Sequence, residues 1–223
     1  MHESGVLFHI GSFGVTSTMT TMLGITVLLS VVCYLTTRNL KLVPSGLQNA
    51  MEMVLETIEG FLSDLMGFDM ARKYLPLLAS LFFFILLSNY SGLLPLAGHL
   101  PGLAAPTSSL SVTAALAIIV FISTHYFGFK AHGLGYLKHF VSPVFFMLPF
   151  LVIEELVRPL SLSLRLYGNI FGEETVGMQF FNMMPILVPL PMMFLSLLMG
   201  LIQALVFMIL ASIYISSAAG EAH

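Results

Sequence analysis

Most of this chain consists of apolar runs that are each long enough to cross a lipid bilayer, and no other feature constrains the fold as strongly. Of its 223 residues, 57% are hydrophobic and only 9% are charged, and the mean hydropathy is +0.97. A helix needs about 20 apolar residues to span the hydrocarbon core. The sequence therefore predicts an all-α polytopic membrane protein with a single membrane domain, residues 1–223, and no large soluble domain.

Five membrane-crossing helices and one amphipathic helix are predicted after an outer N-terminal segment, 1–18. In the amphipathic helix, 45–66, apolar residues recur at helical spacing and acidic residues take the other faces, so it is too charged to cross. The last two crossing helices exceed the length of one crossing. We expect them to form a tilted hairpin whose polar stripes face something outside the subunit. The crossing helices are expected at residues 19–37, 74–96, 107–128, 144–177 and 190–218.

The charges in the loops predict the orientation of the chain. Lys and Arg occur in 38–73 and 129–143 and are absent from 1–18, 97–106 and 181–191. The positive-inside rule then places the N-terminus outside and the C-terminus in the cytoplasm, with the amphipathic helix on the cytoplasmic side. The acidic face of that helix either meets a basic protein partner or is simply solvated.

Several functional classes lack their sequence signatures. No basic run indicates nucleic-acid binding, and the single cysteine, Cys33, excludes a disulfide framework. His125, His132 and His139 repeat at seven residues with glycines among them, which predicts loop histidines near the lipid headgroups and not metal ligands. No nucleotide-binding or hydrolytic motif is present. The chain is therefore not expected to be an enzyme on its own, or to bind a metal or cofactor.

A charged stripe runs through the fourth crossing helix and includes Arg165. A charge at the bilayer centre costs about 2.5–3.5 kcal/mol on insertion scales, so an arginine there must face a partner, water or a carboxylate. At about 100° per residue, this stripe comprises Glu154, Arg158, Ser161, Arg165, Gly168, Asn169 and Gly172.

The simplest explanation of this stripe is a static Glu154–Arg158 pair, four residues apart, combined with ordinary packing glycines at 168 and 172. Those two glycines also form a G-x-x-x-G pattern, which lets another helix approach closely. Arg165 is not explained in this way, because no carboxylate lies three or four residues from it. It could instead meet a moving carboxylate on a partner helix.

The other crossing helices carry few polar residues. A lone asparagine in a crossing helix, such as Asn89, typically forms a hydrogen bond with another helix. Hydroxyl residues from Thr107 to Thr113, among them Ser109 and Ser111, either cap a helix or line a wet path. The last helix has one polar stripe, Ser196, Gly200 and Gln203, with Tyr214 further on.

Four segments resemble the a subunit of F-type ATP synthases. The segment SLSLRLYGN, residues 161–169, is similar to the arginine signature of that family, and QALVFMILASIYIS, from Gln203, is similar to its last helix. The segments NYSGLLP, 89–95, and APTSSLSVTAALA, 105–117, resemble two further family segments. These matches occur in the family's order from the second crossing helix to the C-terminus.

The resemblance implies a non-catalytic stator subunit of the Fo sector that abuts a rotating ring of c subunits. Arg165 would match the family's essential arginine, which pairs with the ring carboxylate and prevents ions from short-circuiting two half-channels. Asn169, Gln203 and Glu174 would match other polar positions of the family, and Glu173 is included because it lies nearer the Arg165 stripe. Two departures concern the outer half-channel: Ser196 replaces a common His or acidic residue, and Ser109 and Ser111 replace common Asp and Asn.

The resemblance also implies partners and a location. The partners would be the c ring, the b subunits of the peripheral stalk, other ATP synthase subunits and the lipid bilayer. The location would be the bacterial plasma membrane or a coupling membrane of an organelle, and the translocated ion is expected to be a proton. Gly168, Gly172 and Gly200 would serve helix packing. Candidate half-channel residues are Asn89, Ser109, Ser111, Glu154, Glu155, Arg158, Ser196 and Tyr214.

Three other functions remain open from the residues alone. One is a self-contained transporter or channel in which Arg165 is an anion or gating site. The second is an intramembrane hydrolase, for which the motifs are missing. The third is a structural anchor, which leaves an unneutralised Arg165 unexplained.

Overall fold

A computed structural model of the chain describes six long helices. They are α1 (Ser17–Thr37), α2 (Leu47–Met66), α3 (Phe68–Ser91), α4 (Leu110–His132), α5 (Leu148–Met183) and α6 (Pro189–Gly220). The structure describes residues 6–10, 13–38, 40–42, 44, 46–93, 105–133, 135–136, 148–183 and 189–220.

A short β-hairpin is the departure from the all-α class within the described residues. Strands β1 (Val6–Ile10) and β2 (Phe13–Thr16) pair antiparallel directly before α1. The Thr16 hydroxyl then accepts a hydrogen bond from the Met19 amide at 3.4 Å, which caps the first turn of α1. The N-terminal segment is therefore partly extended, whereas the rest of the described fold is helical apart from a 3-10 turn at Pro106–Ser108.

Four helices are long and apolar enough to cross a membrane. These are α1, α3, α4 and most of α6, from Pro191 to Gly220. The helix α5 has 36 residues and is about 54 Å long, well above the 30 Å or so of the hydrocarbon core. Its composition differs because it carries Glu154, Glu155, Arg158, Arg165, Glu173 and Glu174. The four spans confirm a polytopic membrane protein, and the fifth crossing remains a prediction.

Some helix ends differ from the predicted ones. A charged residue can end an apolar run without ending the helix, because the backbone hydrogen bonds of the helix continue past it. The helix α3 begins at Phe68 and not at residue 74, so Arg72 and Lys73 lie in its first turns. The helix α5 continues to Met183 and not to residue 177. Hydropathy marks where a helix leaves the bilayer, not where its hydrogen bonding ends.

The histidines near the end of α4 were predicted to lie in a loop, and this was wrong for two of them. His125 and His132 belong to α4, which continues through Gly128. Gly133, with a φ of 57°, ends the helix because this left-handed backbone suits glycine. His139 lies outside the described residues.

The core of the bundle is formed where α3, α4 and α6 meet, with α2 and α5 packed around them. The fully buried side chains of α6 include Phe207, Met208 and Ile215. By contrast, α1 buries only Thr21 and Ile25. Large apolar side chains on α1, α5 and α6 face outward, as expected of helices that meet lipid or partner subunits.

The bundle has two distinct ends. We call the end at which α2 lies and α6 finishes the inner end, and the opposite end the outer end. Gly220 at the end of α6 lies beside Met70 in the first turns of α3; a Cβ on Gly220 would be 3.4 Å from the Met70 Cε. The helix α2 buries Ile58, Leu62 and Met66 at this inner end. Its acidic residues Glu56 and Asp64 are exposed.

Candidate functional site

Arg165 lies on the outward surface of α5. Its exposed neighbours on the helix are Ser161, Leu164 and Gly168, whereas Leu162 and Leu166 on the other side are buried in the core. Among the residues whose side chains are described, no carboxylate forms an ion pair with Arg165 and no group accepts its hydrogen bonds. Within the described part of the chain, the Arg165 guanidinium is therefore an unpaired cation on the outward, apolar face of α5.

The glycines beside Arg165 leave this surface open. A Cβ added at Gly168 or at Gly172 would meet no atom of the described residues within 4 Å, so neither glycine packs against another described helix. Gly200 on α6 differs, because a Cβ there would lie 3.3 Å from both the Asn89 side chain and the Tyr90 ring. Gly200 therefore serves packing inside the subunit, whereas the α5 glycines leave room for a helix from outside.

A buried hydrogen bond fixes the rotation of α5 two residues before Arg165. The Thr113 and Ser163 hydroxyls lie 3.2 Å apart and join α4 to α5 inside the core. Thr113 also donates to the Leu110 carbonyl at 3.1 Å. Because Ser163 points into the core, Arg165, about 200° further around the helix, points out.

Replacing Ser163 by alanine is expected to lower the free energy of unfolding by about 0.6 kcal/mol, the average measured for hydrogen bonds between membrane helices, and by at most about 1.7 kcal/mol. Denaturant unfolding of the purified protein in detergent would measure this. Ser161→Ala is the matched control, since the same change on the same helix affects an exposed hydroxyl. An equal loss in both variants would show that the Thr113–Ser163 bond contributes nothing to stability.

A polar cluster connects α5 to α6 on the outer side of Arg165. The Asn169 Nδ2 donates to the Glu173 Oε1 at 3.0 Å, and Glu173 is also hydrogen-bonded to Ser196 of α6. Glu173 is half-buried and Ser196 is buried. Ser196 thus holds a carboxylate that α5 supplies. Glu174 is the next residue of α5, about 100° further around the helix.

A second polar cluster, made of buried residues, lies between α3, the 3-10 turn and α6. The Asn89 Nδ2 donates to the Gly200 carbonyl at 3.0 Å and ties α3 to α6. Four buried atoms find no partner among the described residues: Ser88 Oγ, Asn89 Oδ1, Thr107 Oγ1 and Gln203 Nε2. Because buried polar atoms are nearly always hydrogen-bonded, these four atoms are available to bind ordered water. The sequence alone did not single out Ser88, and it left Thr107 open between a helix cap and a wet path.

The hydroxyls at the start of α4 do not cap it through their side chains. Ser109 occupies the position before the helix but makes no side-chain capping bond. Its hydroxyl lies 2.8 Å from that of Ser111, and both residues are at the surface. Of the two interpretations of this cluster, side-chain capping is not observed for Ser109, and a wet path past Ser109 and Ser111 stays a prediction.

The third polar cluster lies on the inner side of Arg165. The Arg158 guanidinium donates to Glu154 and to Glu155, both at 2.8 Å. Its Cζ also lies 5.4 Å from the centroid of the Tyr214 ring on α6. The static Glu154–Arg158 pair expected from the spacing is present, and Glu155 joins it from the next position.

Comparison with known proteins identifies the family of the chain. Residues 18–216 match the family described as ATP synthase A chain. The chain is 47% identical over 219 residues to ATP synthase subunit a of Geobacter sulfurreducens, which covers 96% of this chain and 92% of the relative. It is 49% identical to that of Trichlorobacter lovleyi (88% and 84% covered) and 45% identical to that of Moorella thermoacetica (95% and 94%). An outward arginine on a glycine-flanked surface thus accompanies an extensive sequence match, and the chain belongs to the ATP synthase subunit a family.

Proposed function

We propose that this subunit translocates protons along the surface of α5 and α6 that faces a rotating ring of c subunits, with Arg165 as the barrier between two half-channels. As a member of this family, the chain is a non-catalytic stator subunit of the Fo sector. The observation that carries the assignment of the surface is an exposed arginine, unpaired among the described residues, between outward apolar residues.

The proposed mechanism is electrostatic. A ring carboxylate that faces lipid must be neutral, because the ionised form would be strongly destabilised in the hydrocarbon. It can ionise beside Arg165, where the guanidinium replaces the hydration that it has lost. Rotation past Arg165 therefore requires that the carboxylate take a proton from one aqueous path and release it into the other.

The two outer polar clusters support one of these paths. Asn89 lies near the outer end of α3, Thr107 lies in the 3-10 turn and Gln203 lies near the middle of α6. All three carry buried atoms without a partner among the described residues. Glu173 extends the path to the outward face of α5, one or two turns from Gly168 and Arg165. We assign the outer half-channel to these groups, with Ser196 as the support of Glu173, and we keep Glu174 as the alternative carboxylate.

The driving force comes from the membrane potential. Moving one charge across it supplies about 2.3 kcal/mol per 100 mV, so several proton steps are needed for each ATP. The ATP chemistry belongs to partner subunits.

We also propose a finer arrangement in the membrane, with five crossings and a tilted hairpin of α5 and α6. The N-terminus lies outside, the C-terminus lies inside, and the acidic face of α2 lies near the b subunits. The loop charges support this orientation.

A self-contained transporter is not favoured, since relatives that match most of the chain are subunits of a larger complex.

Cysteine cross-linking tests the surface of α5 that we assign to the ring. In a Cys33→Ser background, Leu164→Cys on the outward face is expected to form disulfides with cysteines placed on the ring helix. Leu162→Cys, on the buried face of the same helix, is expected to form none. Cross-linking at 162 and not at 164 would refute this assignment of the surface.

A further inference from the structure

A small cavity lies between α4, α5 and α6 at the inner end, separate from the outer polar clusters. Its polar lining consists of Thr124 from α4, Glu155 and Arg158 from α5, and Tyr214 from α6. Its volume of about 10 Å³ suits roughly one water molecule. The remaining wall is apolar and consists of Ala117, Val120, Phe121, Pro159 and Leu162.

Thr124 gives independent support for water at this place. The residue is only 4% exposed, and its hydroxyl finds no hydrogen-bond partner among the described residues. Threonines in apolar helices commonly bond to their own backbone, as Thr113 does in the same helix. A hydroxyl left unpaired in a cavity lined by a carboxylate and a guanidinium therefore indicates a bound water.

The cluster has one more negative charge than positive. Arg158 meets two carboxylates, one on each of its terminal nitrogens. Among the described residues these are the ion pairs of the cluster, so its net charge is −1. Burial differs between the two: the side chain of Glu155 is 18% exposed, whereas that of Glu154 is 59% exposed. Arg158 thus connects Glu155, which lies beside the cavity, with Glu154, which lies on the outward-facing side of α5.

The outward carboxylate lies in line with Arg165. Glu154 and Ser161 are exposed on the same stripe of α5, and Arg158 lies seven residues, or about 10.5 Å, from Arg165 along the helix axis. A proton that leaves the ring on the inner side of Arg165 therefore encounters this cluster next along the helix.

We propose that Glu154, Glu155, Arg158, Tyr214 and Thr124 form a hydrated, proton-attracting pocket that connects the inner aqueous phase to the ring-facing surface below Arg165. This inference rests on the proposed function and assigns residues to its inner half-channel. The surplus charge attracts the proton to the bound water, from which a carboxylate oxygen of Glu155 takes it up and releases it to the inner aqueous phase.

Removing the surplus charge tests the proposal. In Glu155→Gln the amide oxygen can still accept from Arg158 and Glu154 still neutralises it, so the helix contact is retained. We expect the initial rate of ATP-driven proton uptake by inside-out vesicles that contain the whole complex to fall about tenfold at low salt, the lower limit for charge-focusing clefts. The difference from wild type should shrink at high salt, because salt screens the attraction.

Two matched variants make this result specific. Glu155→Asp keeps the charge and is expected to retain most of the rate. Asp69→Asn, in the exposed first turn of α3 at the same end, removes an equal charge outside the lining of the cavity and is expected to leave the rate unchanged. A normal rate in Glu155→Gln, with Arg165→Ala inactive, would overturn this inference and leave the proposed function standing. Normal pumping in Arg165→Ala would overturn both.

Labelling provides a readout that does not depend on activity. In a Cys33→Ser background, Thr124→Cys is expected to react with a small, water-soluble methanethiosulfonate applied from the inner side. Leu116→Cys, buried two turns away on α4 and outside the lining of the cavity, is expected to stay unreactive. Equal protection of both cysteines in an assembled, pumping complex would show that the pocket holds no accessible water and would refute the proposal.

Discussion

ATP-driven proton pumping is expected to fall about a hundredfold when Arg165 is replaced by alanine. Without the guanidinium, an ionised ring carboxylate at this depth lacks its counter-charge, at a cost of about 2.5–3.5 kcal/mol on insertion scales. That cost corresponds to roughly a hundredfold in rate. Pumping into vesicles that contain the whole complex, followed with a pH-sensitive dye, is the measurement.

Passive proton leak should be recorded in the same vesicles. If Arg165 separates the two half-channels, its loss is expected to increase the leak while the complex still assembles. Arg72→Ala is the control, because Arg72 is also exposed but lies at the start of α3, away from the surface assigned to the ring. Pumping at the wild-type rate in Arg165→Ala would contradict the central assignment and reopen the transporter hypothesis.

The second large effect is expected from Glu173→Gln. The amide can keep the hydrogen bonds that Glu173 makes with Asn169 and Ser196, so the variant removes chiefly the ability to exchange a proton. Positioned acid–base groups contribute about a hundredfold or more to proton transfer. We therefore expect a loss of about a hundredfold in ATP-driven pumping, measured as above. Leak should stay low, because Arg165 is intact.

Glu174→Gln is the matched control, since it makes the same change at the adjacent residue on another side of α5. If Glu173 is the carboxylate of the outer half-channel, Glu174→Gln should pump at close to the wild-type rate. The reverse pattern, with loss at 174 and retention at 173, would transfer the role to Glu174. Retained pumping in both variants would refute a carboxylate in this half-channel.

Local sequence patterns predicted much of the fold and part of the site. Apolar runs located α1, α3, α4 and α6, because a bilayer demands internally bonded helices of known length. Helical spacing predicted the Glu154–Arg158 pair, because residues four apart on a helix are neighbours whatever surrounds it. The arginine signature SLSLRLYGN pointed to Arg165 because it is a run of consecutive residues.

Other contacts could not be predicted in this way, because they join residues far apart in sequence. Asn89 donates to the Gly200 carbonyl across 111 positions, and Thr113 meets Ser163 across 50. Periodicity gives the angle of a side chain around its own helix but not the neighbour that the angle faces. The charge surplus at Arg158 was equally hidden, because the spacing alone did not show that Glu155 would share the guanidinium.

Hydropathy and a local motif are enough to identify a helical membrane protein of this family with Arg165 in its arginine signature, because neither depends on packing. Which face of α5 looks outward depends instead on how the helices pack. Burying Leu162, Ser163 and Leu166 against the core leaves Arg165 at the surface of the subunit. The same packing brought Glu173 to Ser196 and Arg158 to Tyr214. Such pairs depend on how helices dock, which is set by the shape and burial of whole faces and not by any one segment.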